Sequence, residues 1–374
     1  MDNLQSQTTL LTGATGLLGR YVLAELLKRD RRVIAMLRAP LAQSRRRLID
    51  ALEAAGIEFG NAVDCGRLEV VEGHLPDGLP AEVDGTIDSI LHIAASLRLY
   101  ANGDPDPYRT NTDGAEELIR WADRHGIRRI HAVSTAYVCG WNQGKIDEVF
   151  HDPCPDFQTD YERSKWKAER RFAEWAKQPG RILTVLRPSF LVGDSETGYT
   201  NQFGGIYQLA RLVGILKDRH SDESNGQATK IPLRIPGRGD DAHDLVPVDF
   251  AARVLAEIVL NERFHGRIYH LTNPNPVRSE SIKSWLEEYF NVCGGSFASA
   301  DALTDDCSVD EALIFNDVIQ PRISHSPRFQ QANTAEVIQA ADLQFPVLDR
   351  NRFHLMLDYA VAQRWGRRRN GSGR

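Results

Sequence analysis

Three glycines spaced by three, in Thr12-Gly13-Ala14-Thr15-Gly16-Leu17-Leu18-Gly19, constrain this chain more than any other feature. They follow a short β-prone run, Thr8–Thr12, and open a segment with apolar residues at helical spacing, Leu17–Lys28. A second β-prone run, Arg32–Leu37, comes next. Strand, glycine turn, helix and strand in this order make a phosphate cradle, because bare backbone N–H groups and a helix N-terminus then face an anion. Gly13 permits the tight turn, Gly16 lets the backbone approach the phosphates, and Gly19 lets the helix pack on the strand. The pattern predicts a dinucleotide site formed by Gly13, Thr15, Gly16, Leu17 and Leu18.

The alternation continues. Pro40–Ala55 reads as a helix with arginines on one side, Leu68–Val71 as a third strand and Ser89–Ala94 as a fourth. Asn111–His125 reads as a helix, Arg129–Thr135 as a fifth strand, Tyr161–Lys177 as a long helix and Ile182–Arg187 as a sixth strand. Short, almost wholly apolar strands between helices are buried on both faces, which fits a parallel sheet better than a sandwich. The expected fold class is α/β, a Rossmann-type doubly wound parallel sheet with a smaller mixed α/β C-terminal part. Beyond Gly193 the alternation stops. Asp218–Lys230 is polar and reads as a mobile loop, and 294–327 shows no firm period. Val248–Leu260 and Ser279–Tyr289 read as helices, Arg267–Leu271 as a strand and Asp349–Trp365 as a last amphipathic helix. The expected division is a nucleotide-binding domain at 1–193, with 240–271 returning to it. A substrate-binding part at 194–239 and 272–374 would end in a flexible basic tail at 366–374.

Composition narrows the partners. The chain has 374 residues, 42% of them hydrophobic and 26% charged, with a net charge of −6, which leaves room for a large core and gives no bulk attraction for nucleic acid. Its five cysteines show no CxxC pairing, so neither a disulfide framework nor a metal site is expected, and the chain reads as reduced and cytoplasmic. The N-terminus lacks the basic-then-apolar pattern of a signal peptide, and no uninterrupted apolar stretch is long enough to span a membrane.

The end of the second strand bears on cofactor choice. NAD-preferring sites tend to place an acid there for the ribose hydroxyls. This strand ends Met36-Leu37-Arg38, and an arginine can pair with a 2′-phosphate instead. Arg45, Arg46 and Arg47 follow; one of them closing over the same phosphate and a solvated basic face are both open readings. NADP(H) is the expected cofactor.

Tyr161-Glu162-Arg163-Ser164-Lys165 places a phenol and an ammonium four residues apart on one face of a helix. A phenol with a pKa near ~10 is a poor acid–base at neutral pH. A nearby cation stabilises the phenolate and tunes it. Twenty-six residues before Tyr161 the fifth strand ends in Val133-Ser134-Thr135. A hydroxyl at the C-terminal end of such a strand can hydrogen-bond a substrate carbonyl. Thr135 is the first choice and Ser134 its competitor. Asn111 either caps its helix or links it to the site through water. His92 reads as a packed, hydrogen-bonded histidine rather than a catalyst. Ala94 and Ala95 leave room for a cofactor, and the backbone at Pro188 and Ser189 is placed to meet a nicotinamide carboxamide. Asp244 and Asp249 read as residues that cap and position the following helix.

TGATGLLG, the HIAA strand end, VSTAYVCG, YERSK and LRPSFLVGDSETG, in that order, resemble the extended short-chain dehydrogenases/reductases. VSTAYV, RPSFLVGDSETG and DLVPVDF are similar to the branch holding fatty acyl-CoA reductases (male sterility proteins) and thioester reductase domains. The resemblance runs from Leu10 to about Leu271. It implies NADPH and a catalytic set of Thr135, Tyr161 and Lys165, with Arg38 on the 2′-phosphate and Arg47 matching a downstream arginine–leucine pair. It also implies hydride delivery to a thioester carbonyl, giving a hemithioacetal that collapses to an aldehyde, which some members reduce again to an alcohol. There are departures. Gly73-His74-Leu75 stands where relatives often carry an aspartate near the adenine. No carrier-like segment is evident, so a carrier protein would act in trans, or the substrate is a coenzyme A ester or a free carbonyl. The alternative reading is an extended-family carbonyl reductase or dehydrogenase, or a nucleotide-sugar epimerase or dehydratase, acting on a free small molecule. A monomer and a homodimer are both compatible with the resemblance.

Overall fold

The structure is a computed structural model that describes residues 7–54, 66–83, 85–142, 144–220, 227–299, 308, 310–311 and 327–367. Seven parallel strands form one sheet: β1 (Thr8–Thr12), β2 (Arg32–Leu37), β3 (Leu68–Glu72), β4 (Ser89–His92), β5 (Arg129–Val133), β6 (Ile182–Pro188) and β7 (Ile268–Leu271). Their spatial order is β7-β6-β5-β4-β1-β2-β3, and every neighbouring pair runs parallel. The chain order therefore reverses between β1 and β4. In open α/β sheets this switch point is where ligands bind, outside the carboxyl ends of the strands.

The sequence explains the sheet. β1 is buried at all five residues, as a strand covered on both faces should be. Leu10, Ile90, Ile130 and Val185 line a face that packs against Leu118, Trp121 and Ala122 of α3 (Gly114–Arg124) and Ala168, Phe172 and Trp175 of α4 (Asp160–Ala176). Helix α1 (Leu17–Lys28) packs against α5 (Val248–Leu260), whose nine buried residues give it an extended apolar surface. Helix α2 (Leu41–Ala54) follows β2.

The chain divides into two compact units, one of 1–191, 246–273 and 328–345 and the other of 192–245, 274–327 and 346–374. The first holds the sheet. It also takes in 328–345, which sequence reading assigned to the other part. Helix α6 (Ala332–Ala340) is held there by Glu148, whose carboxylate accepts from Asn333 N at 2.6 Å, Thr334 Oγ1 at 3.0 Å and His270 N on β7 at 2.9 Å. The second unit has helices at Ile206–His220, Ser279–Phe290 and Arg350–Ala362, which share a core of Tyr207, Ala210, Ile282, Leu286, Phe353, Met356 and Leu357. Short strand pairs complete it, Thr229–Lys230 beside Val292–Cys293 and Arg234–Pro236 beside Ser296–Ala298.

The polar loop expected at Asp218–Lys230 is thus partly regular: a helix runs to His220 and Thr229–Lys230 pairs as a strand, while 221–226 lie outside the described residues. Most of 294–327 and the tail residues 368–374 also lie outside them. Among the described residues no helix is long and apolar enough to cross a membrane, no cluster fits a metal ion, and Cys139, Cys154 and Cys293 are free thiols.

Candidate active site

Gly13 leaves β1 with φ +81°, a conformation that disfavours any residue with a Cβ. A Cβ built there would lie 2.6 Å from Ala94 N, so the glycine turn and the end of β4 meet backbone to backbone. A Cβ on Gly19 would lie 2.1 Å from Gly13 O, which shows why the first turn of α1 can pack on the loop. Gly16 is the N-cap of α1 and supplies no side-chain cap, so the first-turn amides, including those of Leu17 and Leu18, remain for an anion. The side chains of Leu17 and Leu18 are buried in the core. Sequence reading missed Arg20, which is buried and donates from Nε to Gly16 O at 3.2 Å and from Nη2 to Thr15 O at 2.9 Å. It ties the loop to α1 and puts a cation under it.

Thr12 Oγ1 accepts from Ile93 N and Ala94 N, both at 3.2 Å, and contacts His92 Nδ1 at 2.9 Å. Burial, and secondarily the Lys165 ammonium, push His92 down to about 3, so it is neutral at physiological pH and no general acid. Ala94 and Ala95 follow it, half-buried. Arg38 and Arg47 are both exposed, at the end of β2 and on α2, and neither has an ion-pair partner among the described residues.

Lys165 and Tyr161 project from α4. The helix starts with Thr159 as N-cap, whose side chain accepts from Glu162 N at 3.2 Å, while Glu162 accepts from Gln158 N at 3.2 Å. Asp160 fixes the loop after β4, accepting from Ala101 N at 2.9 Å and Tyr108 Oη at 2.7 Å, and Tyr161 N donates to Leu99 O at 3.2 Å. Burial, then the hydrogen bond to Asp160, pushes the Tyr108 phenol up to about 12, so it stays protonated at physiological pH. Lys165 is almost wholly buried, and its Nζ donates to Val133 O at 2.7 Å. Burial brings it down to about 8, against an opposing pull from Glu169.

The strand end separates the two hydroxyls. Ser134 Oγ is buried without a hydrogen-bond partner. Thr135 Oγ1 accepts from Tyr137 N at 3.3 Å at the start of a short 3-10 turn, a bond that leaves its hydroxyl proton uncommitted. Asn111 does not cap α3. It lies in a π-helical turn, Arg109–Asp113, and its Nδ2 donates to Ser96 O at 3.0 Å and Ser164 Oγ at 2.9 Å, while Oδ1 accepts from Ser96 N at 2.8 Å. It therefore ties the end of β4 to the turn of α4 between Tyr161 and Lys165. Pro188 and Ser189 are buried at the end of β6. Asp249 pairs with Arg253 at 3.0 Å within α5, and the N-cap of that helix is Pro247 rather than an aspartate.

The glycine cradle at the switch point and the uncapped first turn of α1 fit a dinucleotide pyrophosphate. The hydroxyl, phenol and ammonium groups stand at strand and helix ends of the same unit. Comparison with known proteins agrees. Residues 11–255 match the family described as Male sterility protein. The chain is 26% identical to a linear gramicidin synthase of Brevibacillus parabrevis, over 96% of this chain and 7% of that one. It is 30% identical to an isonitrile lipopeptide synthase of Streptomyces coeruleorubidus, over 75% of this chain and 18% of that one. The chain thus spans less than a fifth of the length of these relatives. The terminal R domain from the myxalamid PKS-NRPS biosynthetic pathway shares the fold, with TM-score 0.75, 23% identity and coverage of 96% of this chain and 91% of that one. This protein belongs to the Male sterility protein family and carries a Rossmann-type domain for a nicotinamide nucleotide.

Proposed function

We propose that the chain is an NADPH-dependent reductase of an acyl thioester, yielding the aldehyde and, by a second round, the alcohol. What supports this reading is that Thr135, just past the end of β5, and Tyr161 and Lys165, in the first turns of α4, belong to the unit that bears the glycine cradle, within a family whose relatives include peptide synthases. Gly13, Thr15, Gly16, Leu17 and Leu18 would hold the pyrophosphate, Arg38 and Arg47 the 2′-phosphate, and Lys165 the nicotinamide ribose. Ala94, Ala95, Asn111, Pro188 and Ser189 complete the cofactor's surroundings. When bound, NADPH supplies the hydride.

The protein's own groups do the rest. Thr135 donates its uncommitted hydroxyl proton to the substrate carbonyl oxygen and fixes its position. Tyr161 delivers the proton that the developing alkoxide takes up. Lys165, positive beside it, favours the phenolate that remains. The thioester's thiol is then released as the hemithioacetal collapses. A carrier protein or coenzyme A would present the acyl group, and the test is whether NADPH oxidation with a thioester liberates free thiol.

Arg38 decides the nucleotide. A hydrogen bond to a charged group contributes about 1.5–3 kcal/mol. Arg38→Ala is therefore expected to weaken NADPH binding by roughly 10–100-fold and leave NADH binding nearly unchanged. Fluorescence titration of the two nucleotides measures this; equal losses for both would remove Arg38 from the 2′-phosphate.

A further inference from the structure

One turn beyond Lys165 on α4, Glu169 is only 2% exposed, and Arg187 on β6 is fully buried at 0%. They form a two-point ion pair, Arg187 Nε donating to Glu169 Oε1 at 2.9 Å and Nη2 to Oε2 at 2.7 Å. Arg187 Nη1 donates to Val149 O at 2.9 Å and lies 3.4 Å from Nε2 of both His151 and His270. Burial is the first cause holding these two imidazoles low, near about 4 and about 3, so they face the guanidinium as neutral acceptors. Taking two charges out of water costs several kcal/mol per ion, and a pair of apolar side chains would often serve packing as well or better. Packing alone therefore does not account for the pair.

Lys165 has the complementary problem. It is buried, its ammonium bonds a neutral carbonyl, and no carboxylate among the described residues lies in ion-pair range. A cation in that position tends to lose its proton. Glu169 follows it at i+4, where side chains share a helix face. We propose that Glu169, fixed by its ion pair with Arg187, is a positioning residue that keeps Lys165 protonated in the interior and through it sets the proton affinity of Tyr161.

The arginine is needed because a buried carboxylate is costly unless it is paired and hydrogen-bonded, and Arg187 does both. The other titratable groups around Lys165 do not replace Glu169. His92 on β4 is neutral, Tyr161 on α4 is the group being tuned, and Arg187 on β6 faces Glu169. Burial lowers Lys165 to about 8, and Glu169 is the charge that opposes it. The part of the proposal concerning Tyr161 rests on the catalytic reading above; the part concerning Lys165 does not.

The test is a pH titration of Lys165 in the full chain labelled with 15N at the lysine side-chain nitrogens, the signal being assigned by its loss in Lys165→Met. Glu169→Gln is expected to lower the midpoint by about one unit or more, since a nearby opposite charge moves a pKa by ~1–3 units. Glu169→Gln leaves Arg187 unpaired and can fail to fold. The double variant Glu169→Gln/Arg187→Met leaves no unpaired guanidinium and is expected to show the same lowered midpoint. Turnover of octanoyl-coenzyme A with NADPH should then fall roughly threefold at pH 7.5 and recover near pH 6, as the charged fraction of Lys165 dictates. An unchanged Lys165 midpoint in the double variant, or a loss of turnover uniform across pH, would overturn the proposal. A lowered midpoint in a protein that reduces no thioester would uphold the Lys165 part and remove the functional reading.

Discussion

Tyr161→Phe is expected to reduce turnover by about 10²–10⁴-fold while NADPH still binds, because a positioned general acid contributes about that much. The substitution deletes one oxygen and keeps the ring. The anchors of this turn are backbone atoms and neighbouring side chains: Tyr161 N to Leu99 O, Asp160 to Ala101 N and Tyr108, and Thr159 to Glu162 N. None of these involves the phenol, so the helix and the loop after β4 should persist. Single-turnover kinetics beside an NADPH fluorescence titration separates the two effects. Full activity in the variant would remove Tyr161 from the chemistry, and loss of NADPH binding would make its role structural.

Gly13→Ala is expected to damage the cofactor cradle itself. Two penalties combine at this position. A non-glycine residue at φ +81° carries strain of about 1–3 kcal/mol. The new Cβ would also fall 2.6 Å from Ala94 N and 2.9 Å from Ala94 Cα, which are backbone atoms that cannot swing aside. β1 and β4 would have to part at the switch point, which lies beside Thr12 and the bonds it accepts from Ile93 and Ala94. Gly66→Ala is the control, because Gly66 has φ +72° and a Cβ there meets nothing within 4 Å. The control measures strain alone. Thermal unfolding should place Gly13→Ala well below Gly66→Ala, with NADPH binding lost only in the former. Equal stabilities and intact NADPH binding would contradict the close approach.

Much of this architecture was legible in the chain. The strands at Thr8–Thr12 and Arg32–Leu37 and the helix at Val248–Leu260 have the expected bounds, because buried parallel strands read as continuous apolar runs and the helix carries a strong period. Less regular segments were harder. Asn111 reads as the start of a helix, but the chain first makes a π-helical turn, and α3 starts at Gly114. The helix at Ile206–His220 is hard to read from sequence because its apolar stretch runs into a polar segment that reads as loop. The return of 328–345 to the sheet depends on Gln331, Asn333 and Thr334 reaching Thr272, Ile268, His270 and Glu148. Those partners lie far away in sequence, and no local periodicity encodes them.

The site divides in the same way. Spacing of four singles out Tyr161 and Lys165 as candidates, and strand-end position the Ser134–Thr135 pair. Sequence reading puts Thr135 first with Ser134 as its competitor; the structure adds that the Ser134 hydroxyl is enclosed. Glu169 and Arg187 passed unread because one looks like an ordinary polar helix residue and the other like the last charge of a strand. Their pairing across 18 residues shows only in three dimensions.

Thioester reduction by this unit is tested by following NADPH oxidation and free thiol release together, with octanoyl-coenzyme A and, separately, with octanal. The expected result is one thiol released for the first NADPH consumed from the thioester, with both signals lost in Tyr161→Phe. NADPH oxidation with the aldehyde and no thiol release from the thioester would contradict it and make the protein a carbonyl reductase.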